Sequence, residues 1–523
     1  VGAVSGMHVS LLAGLVMLLC AKKRVLCAAL GIPLVWFFVL LTGANASSVR
    51  AGIMQTMLLV SGLVRRERDP WTAFSAALMV LLAENPWSLR NVGLLLSFAS
   101  TGGILLFSKP LSHAMVESKT YAHLEDHHPF LARGLRPGIT ATCCSLASSA
   151  FSLPICAVYF GVVSVSGFVT NALCLWLISL IFSAGLTAAA SCICLPIGLG
   201  PGWLIGRAAQ LVLGVIGVLS CVPYSAVSLD NPYAAVWAVF FFCAVWVICL
   251  QPKKLRASLT LGCIAVTFAL CMGLSALDYR SAGFTFTALD VGQGQCLVYT
   301  ADGETSMVDC GGVQNESGEL AARYLEGNGV FRVERLFLTH PDADHCNGAA
   351  QLISRVQVGT LYLPMTALRE QSDMLQTIIR TARENGTQVR FVRENLEFPT
   401  KRGKIRVLKP DLLESGNDGG LCVLAAHEKY DILITGDLTA QAEYRLLSLH
   451  TLPQAAVLVA GHHGAATSTS GALLRAVRPE AVFISAGADN RFGHPAAQTL
   501  ARIRQSGAAV YRTDLSGTIT IRG

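Results

Sequence analysis

Residues 339–348, Thr-His-Pro-Asp-Ala-Asp-His-Cys-Asn-Gly, place two histidines and two aspartates within six positions. An apolar, strand-like run precedes them and a helix-like run follows, so the cluster is predicted to lie on a loop between a strand and a helix. Alternate residues of an extended loop point the same way, which lets His340, Asp342 and Asp344 converge, with His345 turning in after them. Imidazole combined with carboxylate favours Zn, Mn or Fe over Ca or Mg. The stretch therefore predicts a metal site at a strand end.

Three later apolar runs, at 431–434, 457–460 and 482–485, also end in residues of the kinds that bind metals. The polar residues that follow these runs are Asp437, His462, His463, Asn490 and His494. Strands that each deliver such a residue at their ends assemble a site at one edge of a sheet. One such residue alone carries little information, but the four segments in this order predict a shared site.

Charge divides the chain into two parts. Among 523 residues, 53% are hydrophobic and only 14% are charged, with a formal net charge of +7. Residues 1–277 hold 16 basic and 7 acidic residues, whereas residues 278–523 hold 24 and 26. The first part is too apolar for water, and the second has the charge density of a soluble domain. This excludes a disordered protein and a wholly soluble enzyme, and it predicts a polytopic α-helical membrane domain over 1–277 followed by an α/β domain over 278–523.

Seven apolar stretches are long enough to span a bilayer, which takes about 20 residues in a helix. They are Val25–Leu41, Val92–Phe107, Leu146–Val165, Phe168–Ala190, Trp203–Val222, Tyr233–Leu250 and Leu255–Leu277. Three shorter stretches are either further spans or re-entrant segments. They are Met7–Cys20, Ala51–Val64 and Trp71–Ala83. The sequence therefore predicts between seven and ten membrane helices.

Basic residues predict the orientation, because cytoplasmic loops are rich in Lys and Arg. If all ten segments cross, the clusters at Lys22–Arg24, Arg65–Arg68 and Lys253–Arg256 fall on one side, together with a loop at Lys109–Arg136. That side is predicted to be the cytoplasm, which puts residue 278 onward on the outer face. One re-entrant segment would reverse the prediction.

Three polar residues within the apolar part are candidates for lining a path across the membrane: His8, Arg50 and Gln55. Ionisable groups inside a membrane often mark functional sites. Arg50 and Gln55 flank a short Gly- and Met-containing segment that is typical of a broken helix. An interfacial histidine and a snorkelling arginine at a helix end are equally compatible with the pattern.

Two sets of motifs carry a resemblance to known families. The order His-x-Asp-x-Asp-His, Gly-Asp, His-His-Gly and Gly-His-Pro resembles the metallo-β-lactamase superfamily, which implies an αββα sandwich. Residues 289–294, which include Asp290, and residues 308–311, which include Asp309, are similar to the opening strands of one branch, the ComEC-type competence proteins. Residues 4–9, 48–54 and 91–99 resemble that family's competence-domain signatures. Family members usually carry a further N-terminal domain, so the sequence is expected to be N-terminally truncated.

The resemblance implies a function and a location. It implies a multi-pass channel in the bacterial inner membrane that passes single-stranded DNA inward during natural transformation. The C-terminal domain is implied to be a periplasmic or extracellular nuclease that degrades the strand left outside. Single-stranded DNA and membrane lipid are the implied partners. A DNA receptor, cytoplasmic translocation proteins and a homo-oligomer are further partners that the resemblance leaves open.

Eight residues match the family's site positions: Asp309, His340, Asp342, Asp344, His345, Asp437, His462 and His494. They imply one or two divalent ions, Mn or Zn. His340 and Asp342 would bind one ion, and His345 with Asp437 the other. Asp344 would hold or orient the attacking water. His462 or His463 would bind metal or phosphate, His494 would be a ligand or general acid, and Asn490 would shape its loop.

Three residues depart from the family pattern: Asp342 stands at a usual histidine, Gln295 at a usual aspartate and Ala465 at a usual serine. Their expected effect is weaker contact with metal or phosphate. Residues 278–523 also have a net charge of −2, whereas phosphate binding normally shows as a basic surface. Alternatives are therefore a membrane-anchored metallohydrolase or phosphodiesterase, a transporter for another substrate, or a channel with a degenerate nuclease.

Overall fold

A computed structural model describes residues 6–21, 23–67, 69–192, 199–220, 222, 225–229, 231–250, 257–312, 316–369, 372–409, 416–428 and 430–523. Lys22, Arg68 and residues 253–256 of the predicted basic clusters lie outside the described residues, as do residues 4 and 5 of the first competence motif. The chain forms two compact units, residues 1–229 with 234–260, and residues 230–233 with 261–523.

Helices build the first unit. They are α1 (Gly6–Leu19), α2 (Arg24–Leu41), α3 (Ala46–Leu63), α4 (Pro70–Glu84), α5 (Val92–Val116), α6 (Lys119–His127), α7 (Pro129–Phe160), α8 (Ser166–Cys192), α9 (Leu199–Ser220) and α10 (Tyr233–Leu250). A short 3-10 helix lies at Pro86–Arg90, and strands β1 (Val162–Ser164) and β2 (Ala226–Ser228) pair antiparallel.

Side-chain caps set where several of these helices begin. The side chains of Asn45, Asp69 and Asn91 each accept hydrogen bonds from backbone N–H groups two or three residues later. These bonds satisfy donors that a helix leaves unpaired in its first turn. The start of α3, α4 and α5 therefore follows from the sequence.

Six described helices are long and apolar enough to cross a membrane, judged by length and composition. They are Arg24–Leu41, Val92–Val116, Pro129–Phe160, Ser166–Ala189, Gly202–Leu219 and Gly262–Ser281. The seventh predicted span lies in α10, whose described apolar part, Tyr233–Val247, is shorter, as are α1 and α4. The predicted loop at Lys109–Arg136 is wrong. The end of α5, all of α6 and the start of α7 make it mostly helical.

Close packing joins α5 to α7. A Cβ atom added at Gly103 of α5 would lie 2.6 Å from the carbonyl oxygen of Ala147 and 2.7 Å from the ring of Phe151. The absence of a side chain at Gly103 thus lets the two helices approach backbone to backbone, which is typical of helices packed in membranes.

The second unit begins with α11 (Ala257–Ser281) and continues as a strand-rich domain. Its strands are β3 (Phe284–Ala288), β4 (Cys296–Ala301), β5 (Glu304–Cys310), β6 (Arg332–Phe337), β7 (Gln357–Pro364), β8 (Gln388–Val392), β9 (Leu396–Pro399), β10 (Gly403–Leu408), β11 (Cys422–His427), β12 (Tyr430–Ile434), β13 (Val457–Val459), β14 (Ala481–Ile484), β15 (Ala509–Arg512) and β16 (Ile519–Arg522). They form two seven-stranded sheets, in the orders β16-β3-β4-β5-β6-β7-β8 and β15-β14-β13-β12-β11-β10-β9.

Helices flank the two sheets. They are α12 (Ser317–Gly327), α13 (Ala343–Cys346), α14 (Ala349–Arg355), α15 (Asp373–Glu384), α16 (Ala440–Leu449), α17 (Gly471–Val477), α18 (Ala497–Gln505) and α19 (Thr513–Ser516), with 3-10 turns at Met365–Leu368, Gly416–Gly419 and Gly461–Gly464. The packing between them separates into three apolar clusters. One lies between the sheets, and the other two lie between each sheet and its helices.

This arrangement is an αββα sandwich. Aromatic side chains such as Phe286 and Phe483 fill the layer between the sheets, with ring centroids 5.8 Å apart. On the outer faces, helices bury their apolar sides against the sheets. The predicted fold class, a helical membrane domain followed by an αββα domain, is confirmed. The predicted boundary at residue 277 falls near the end of α11, most of which belongs to the second unit.

The packing of α5 against α7 gives a first prediction. In Gly103→Ala the new methyl group overlaps Ala147 and Phe151, so we expect a loss of about 1–3 kcal/mol of stability, as in overpacked cores. Thermal unfolding of the detergent-solubilised chain measures it.

The neighbouring variant Gly102→Ala is a matched control. Its Cβ would meet only the ring of Phe74, at 3.8 Å. Alanine is favoured over glycine in a helix by up to about 1 kcal/mol, so this variant should unfold at the same or a higher temperature. Equal melting temperatures for the two variants would contradict the close approach of α5 and α7.

Candidate metal centre

The polar residues singled out in the C-terminal part meet at one edge of the sandwich. Strands β5 and β6 are parallel neighbours in one sheet, and β12, β13 and β14 are parallel neighbours in the other. The carboxyl ends of parallel strands lie at the same edge. Asp309, the loop after β6 and Asp437 after β12 are therefore brought together, as are the two histidines after β13.

His345 lies at the centre of this edge and is fully buried. Its Nδ1–H donates to Oδ2 of Asp309 over 2.7 Å. On the other side of the ring, Nε2 lies 3.1 Å from Oδ1 of Asp437 and 3.3 Å from Nε2 of His463. The bond to Asp309 fixes the orientation of the imidazole, as such bonds do for metal-binding histidines.

Two groups of three residues have the geometry to hold a metal ion. The first is His340, His345 and Asp437, and the second is Asp344, His345 and His463. In each group one donor atom per residue lies within 4.8 Å of the others. The two groups share His345. Because Nδ1 of His345 is held by Asp309 and Nε2 has one lone pair, an ion bound by His345 in one group leaves the other group without that ligand.

Buried atoms without partners show that a cation fits here. Nε2 of His340 and Oδ1 of Asp437 are buried, and neither has a hydrogen-bond partner of correct geometry among the described residues, although Oδ1 lies 3.1 Å from His345. A buried polar atom without a partner is costly. Imidazole nitrogen and carboxylate oxygen are ligands of Zn and Mn, so the donor set suits a divalent ion.

A layer of hydrogen bonds behind the site holds Asp309. The backbone N–H of Thr339 donates to its Oδ1 over 2.7 Å, and the hydroxyl of Thr339 donates to its Oδ2 over 2.8 Å. The side-chain amide of Gln295 donates to the same Oδ2 over 2.8 Å. Sequence reasoning missed Thr339, and it expected Gln295 to weaken a ligand contact. Gln295 is buried and supports Asp309 from within.

The electrostatics favour a positive charge at this edge. Burial alone would lower the pKa of His345, but the carboxylates of Asp437 and Asp309 raise that pKa well above its usual value. Burial, helped by the neighbouring His345, lowers the pKa of His340 to about 4, so His340 is neutral near pH 7 with a lone pair on Nε2. A ligand histidine must be neutral, and His340 meets that requirement.

Both carboxylates that face the site are ionised. Burial opposes ionisation of Asp437, but His345 and then His340 hold its pKa well below the usual range. Burial also opposes ionisation of Asp344, yet the hydrogen bond from His463 lowers the pKa of Asp344 to about 2. The side chain of Asp344 is 36% exposed. It is therefore a carboxylate that both the site and solvent can reach.

The histidine pair after β13 adopts an unusual backbone. His462 and His463 have φ values of 51° and 53°, in the left-handed region that residues with a side chain rarely adopt. This turn buries His463, whose Nδ1–H donates to the carbonyl of Ser485 over 2.9 Å, leaving Nε2 3.3 Å from Oδ2 of Asp344. His462 is more exposed, with Nε2 3.6 Å from Oδ2 of Asp437. The geometry thus puts His463, rather than His462, in a ligand group.

The remaining predicted residues lie around these groups. The side chain of Asp342 is 52% exposed, and its Oδ2 lies 3.6 Å from Nε2 of His340. His494 stands edge-on to His462, with ring centroids 5.7 Å apart. Asn490 hydrogen-bonds the backbone of His494 in both directions. Asp290 is exposed and accepts from the N–H of Gly292, so it shapes its own turn and joins neither ligand group.

The three polar residues of the first unit lie among packed helices. Arg50 and Gln55 line a cavity of about 590 Å³. Arg50 is buried and donates to the hydroxyls of Ser97 (2.8 Å) and Thr101. Gln55 donates to the hydroxyl of Ser10 over 2.9 Å. His8 does not line this cavity, and its ring stands edge-on to Phe182 at 4.8 Å.

Many hydroxyl groups line this cavity, among apolar side chains such as Leu58, Ile104 and Leu175. Eight serines and a threonine line it, along with Asn171. The serines are Ser10, Ser47, Ser97, Ser100, Ser145, Ser148, Ser149 and Ser179. Among the described lining residues none is acidic, so Arg50 is the charged group of the wall.

Comparison with known proteins covers both parts of the chain. Residues 1–254 match the family model of competence proteins, and residues 289–488 match that of the metallo-beta-lactamase superfamily. With the six apolar helices, the first match indicates a multi-pass membrane protein. The second match agrees with the αββα sandwich and with divalent metal binding at its edge.

Relatives match over nearly the whole chain. ComE operon protein 3 of Bacillus subtilis is 26% identical over 99% of this chain and 67% of its own length. Recombination protein 2 of Haemophilus influenzae is 24% identical over 99% and 67%. Competence protein ComA of Neisseria gonorrhoeae is 27% identical over 57% and 44%. The chain thus spans about two thirds or less of each relative. It therefore joins a part that matches the competence-protein family to a part that matches the metallo-beta-lactamase superfamily.

Proposed function

We propose that this chain takes up DNA across the bacterial inner membrane, and that its C-terminal domain is a metal-dependent nuclease on the outer face. In this proposal the helical domain passes a single strand inward, and the nuclease degrades the other strand. The observation that carries the nuclease is the pair of ligand groups sharing His345, in a chain whose other half is a competence domain.

The residues at the sheet edge suit phosphodiester hydrolysis. A divalent ion held there, Mn or Zn, lowers the pKa of water and neutralises phosphate oxygens. Asp344, ionised and partly exposed, orients the attacking water from the side of His463. His494, whose ring lies beside His462, is our candidate for giving a proton to the leaving oxygen; because burial and the neighbouring His462 lower its pKa, it must first take up a proton from solvent. Asp309 does not touch the substrate and positions His345.

The cavity in the first unit supports a path for a polyanion. A phosphodiester carries a negative charge that an apolar bundle would exclude. Arg50 supplies a positive charge at the wall, and the serine hydroxyls can hydrogen-bond phosphate oxygens in place of water. Gln55 adds a side-chain amide to the same wall. His8, which lies outside this wall, is proposed only to support the helix packing beside it.

One observation favours a second candidate. Residues 278–523 have a net charge of −2, which is unlike a nucleic-acid-binding domain. A membrane-anchored phosphodiesterase for a small non-DNA substrate needs no extended basic surface and fits this charge better. Uptake of labelled DNA into the cytoplasm distinguishes the two candidates. Deleting the chain should abolish this uptake if the first candidate is correct and should leave it normal if the second is.

The shared ligand gives a prediction about metal content. Because His345 belongs to both groups, we expect His345→Gln to lower the number of bound ions per chain more than His340→Gln or His463→Gln, each of which removes a donor from one group only. Dialysis of the full chain in detergent against Mn or Zn, followed by elemental mass spectrometry, measures the bound ions per chain.

The control for metal content is His450→Gln, at the end of α16 and outside both groups. It should bind as many ions as the unchanged chain. Equal metal content in His345→Gln and His450→Gln would refute the shared site, provided that both variants unfold at similar temperatures.

Catalysis gives a further prediction. With Mn, the full chain should cleave a labelled single-stranded oligonucleotide, and Asp344→Asn should lower kcat at least about 100-fold because its carboxylate no longer directs the water. The control Asp278→Asn removes an exposed carboxylate paired with Arg522 and should leave kcat unchanged. If the wild-type chain cleaves no oligonucleotide with Mn or Zn, the nuclease proposal is refuted and the uptake proposal is unaffected.

Measuring DNA uptake tests whether the cavity around Arg50 lines the path of the DNA. In a transformable host that depends on this chain, Arg50→Gln should reduce labelled DNA in the cytoplasm at least about tenfold, because the wall loses its charge. Arg50→Lys should keep part of the activity. The control Arg207→Gln removes an exposed arginine of α9 that lies over Trp203. Normal uptake by Arg50→Gln, at a protein level matched by immunoblotting, would exclude Arg50 from the path.

A further inference from the structure

The loop between β14 and α18 presents an aromatic ring to solvent beside the metal centre. Phe492 is 56% exposed. Its ring lies nearly parallel to the imidazole of His494, with an interplanar angle of 25° and centroids 5.8 Å apart. Neither ring is part of the apolar core of the sandwich.

A short series of contacts links this ring to the ligand groups. The imidazole of His494 stands edge-on to that of His462, at 5.7 Å between centroids. Nε2 of His462 in turn lies 3.6 Å from Oδ2 of Asp437. Phe492 is therefore separated from a metal-ligand candidate by two intervening rings, which places it next to the site on its open side.

The loop holds the ring in place. Asn490 donates from Nδ2 to the carbonyls of Gly487 (2.8 Å) and His494 (2.6 Å), and its Oδ1 accepts from the N–H of His494 (3.0 Å). Gly493 has a φ of 69°, a left-handed conformation that glycine adopts without strain. The exposure of Phe492 is thus fixed by hydrogen bonds and does not require an unfolded loop.

A guanidinium group accompanies the ring. Cζ of Arg491 lies 5.1 Å from the ring centroid of Phe492, and Arg491 is exposed. No carboxylate of the described part of the chain lies within ion-pair distance of it. A single exposed phenylalanine is common on protein surfaces. An exposed ring and an unneutralised guanidinium side by side, next to a metal centre, offer the two kinds of planar group on which unstacked bases bind.

We propose that Phe492 and Arg491 form a nucleobase-binding subsite of the metal centre. The subsite takes one unstacked base of a single-stranded polynucleotide by stacking, and so positions the adjoining phosphodiester over the ligand groups. Bases inside a duplex are stacked and paired, and so cannot bind in this way, which makes the subsite selective for single strands and frayed ends. This inference rests on the proposed nuclease function and adds its substrate form.

The test compares two oligonucleotides of equal length, oligothymidylate and an abasic strand with the same phosphodiester backbone, cleaved by the full chain in detergent with Mn. Stacking on an aromatic side chain changes the affinity for a base by roughly tenfold. We expect Phe492→Ala to raise KM for oligothymidylate about tenfold with kcat unchanged, and to leave both constants unchanged for the abasic strand. Phe492→Trp should restore KM.

A matched control is Phe331→Ala. Phe331 is 57% exposed and directly precedes β6, at the opposite end of that strand from His340. It should behave like the unchanged chain on both substrates. If Phe492→Ala instead changes KM equally on oligothymidylate and on the abasic strand, the ring only supports His494 and the subsite is refuted.

A binding measurement separates this inference from the nuclease proposal. In EDTA, fluorescence anisotropy of the two labelled strands reports base recognition without cleavage. The wild-type chain should bind oligothymidylate more tightly than the abasic strand, and Phe492→Ala should bind both strands equally. This result is expected even if neither protein cleaves DNA. A preference that survives in Phe492→Ala, or that is absent from the unchanged chain, overturns the subsite whatever the nuclease assay shows.

Discussion

The hydrogen bond between Asp309 and His345 is the contact on which the C-terminal site depends. Both side chains are fully buried, and their 2.7 Å bond joins a strand of one sheet to the short helix after the next strand. On its far side His345 meets Asp437 of the second sheet. Breaking a buried ion pair by removing one partner costs about 3–5 kcal/mol. The same contact therefore orients the ligands and connects the two sheets at this edge.

Burying these charges requires a second layer of donors. Besides the bond from His345, Asp309 accepts three hydrogen bonds, from the backbone and hydroxyl of Thr339 and from Gln295. With these bonds in place, Asp309 holds the Nδ1–H of His345, which leaves Nε2 facing Asp437. Gln295 thus acts on the site through Asp309. Its side-chain amide donates a hydrogen bond to Asp309, which a carboxylate at position 295 could not do.

Sequence reasoning predicted the elements and most of the site. The charge split predicted the two parts, and residues 339–348 predicted a metal cluster because polar ligands followed apolar strands. Local rules could not separate His462 from His463, since their left-handed backbone decides which ring turns inward. The role of Thr339 as a hydrogen-bond donor to Asp309 could not be predicted, because only its position before His340 distinguishes it from other threonines. Basic residues between two apolar runs predict a loop at Lys109–Arg136, and that charge pattern carries no signal for the helices that the structure has there.

The same physical problem, a charge inside a low-dielectric interior, is solved differently in the two units. At the sheet edge, the ionised carboxylates of Asp344 and Asp437 outnumber the one imidazole, that of His345, whose pKa is raised, and this excess of negative charge suits a cation. Around Arg50 none of the lining residues that the structure describes is acidic, and hydroxyls solvate the guanidinium. Hydroxyls accept hydrogen bonds but supply no negative charge, so the cavity stays attractive to an anion. A carboxylate partner would have stabilised Arg50 more and closed the cavity to phosphate.

A domain with a net charge of −2 can still bind a polyanion if its positive charge is concentrated where the phosphate sits. Two divalent ions would add four charges at the sheet edge, where the carboxylates are already paired with histidines. Arg491 adds another at the rim, and stacking on Phe492 needs no charge at all. Affinity built this way falls less steeply with salt than affinity built on many surface lysines, because few counterions are released. The net charge of residues 278–523 is therefore compatible with the DNA substrate that we propose.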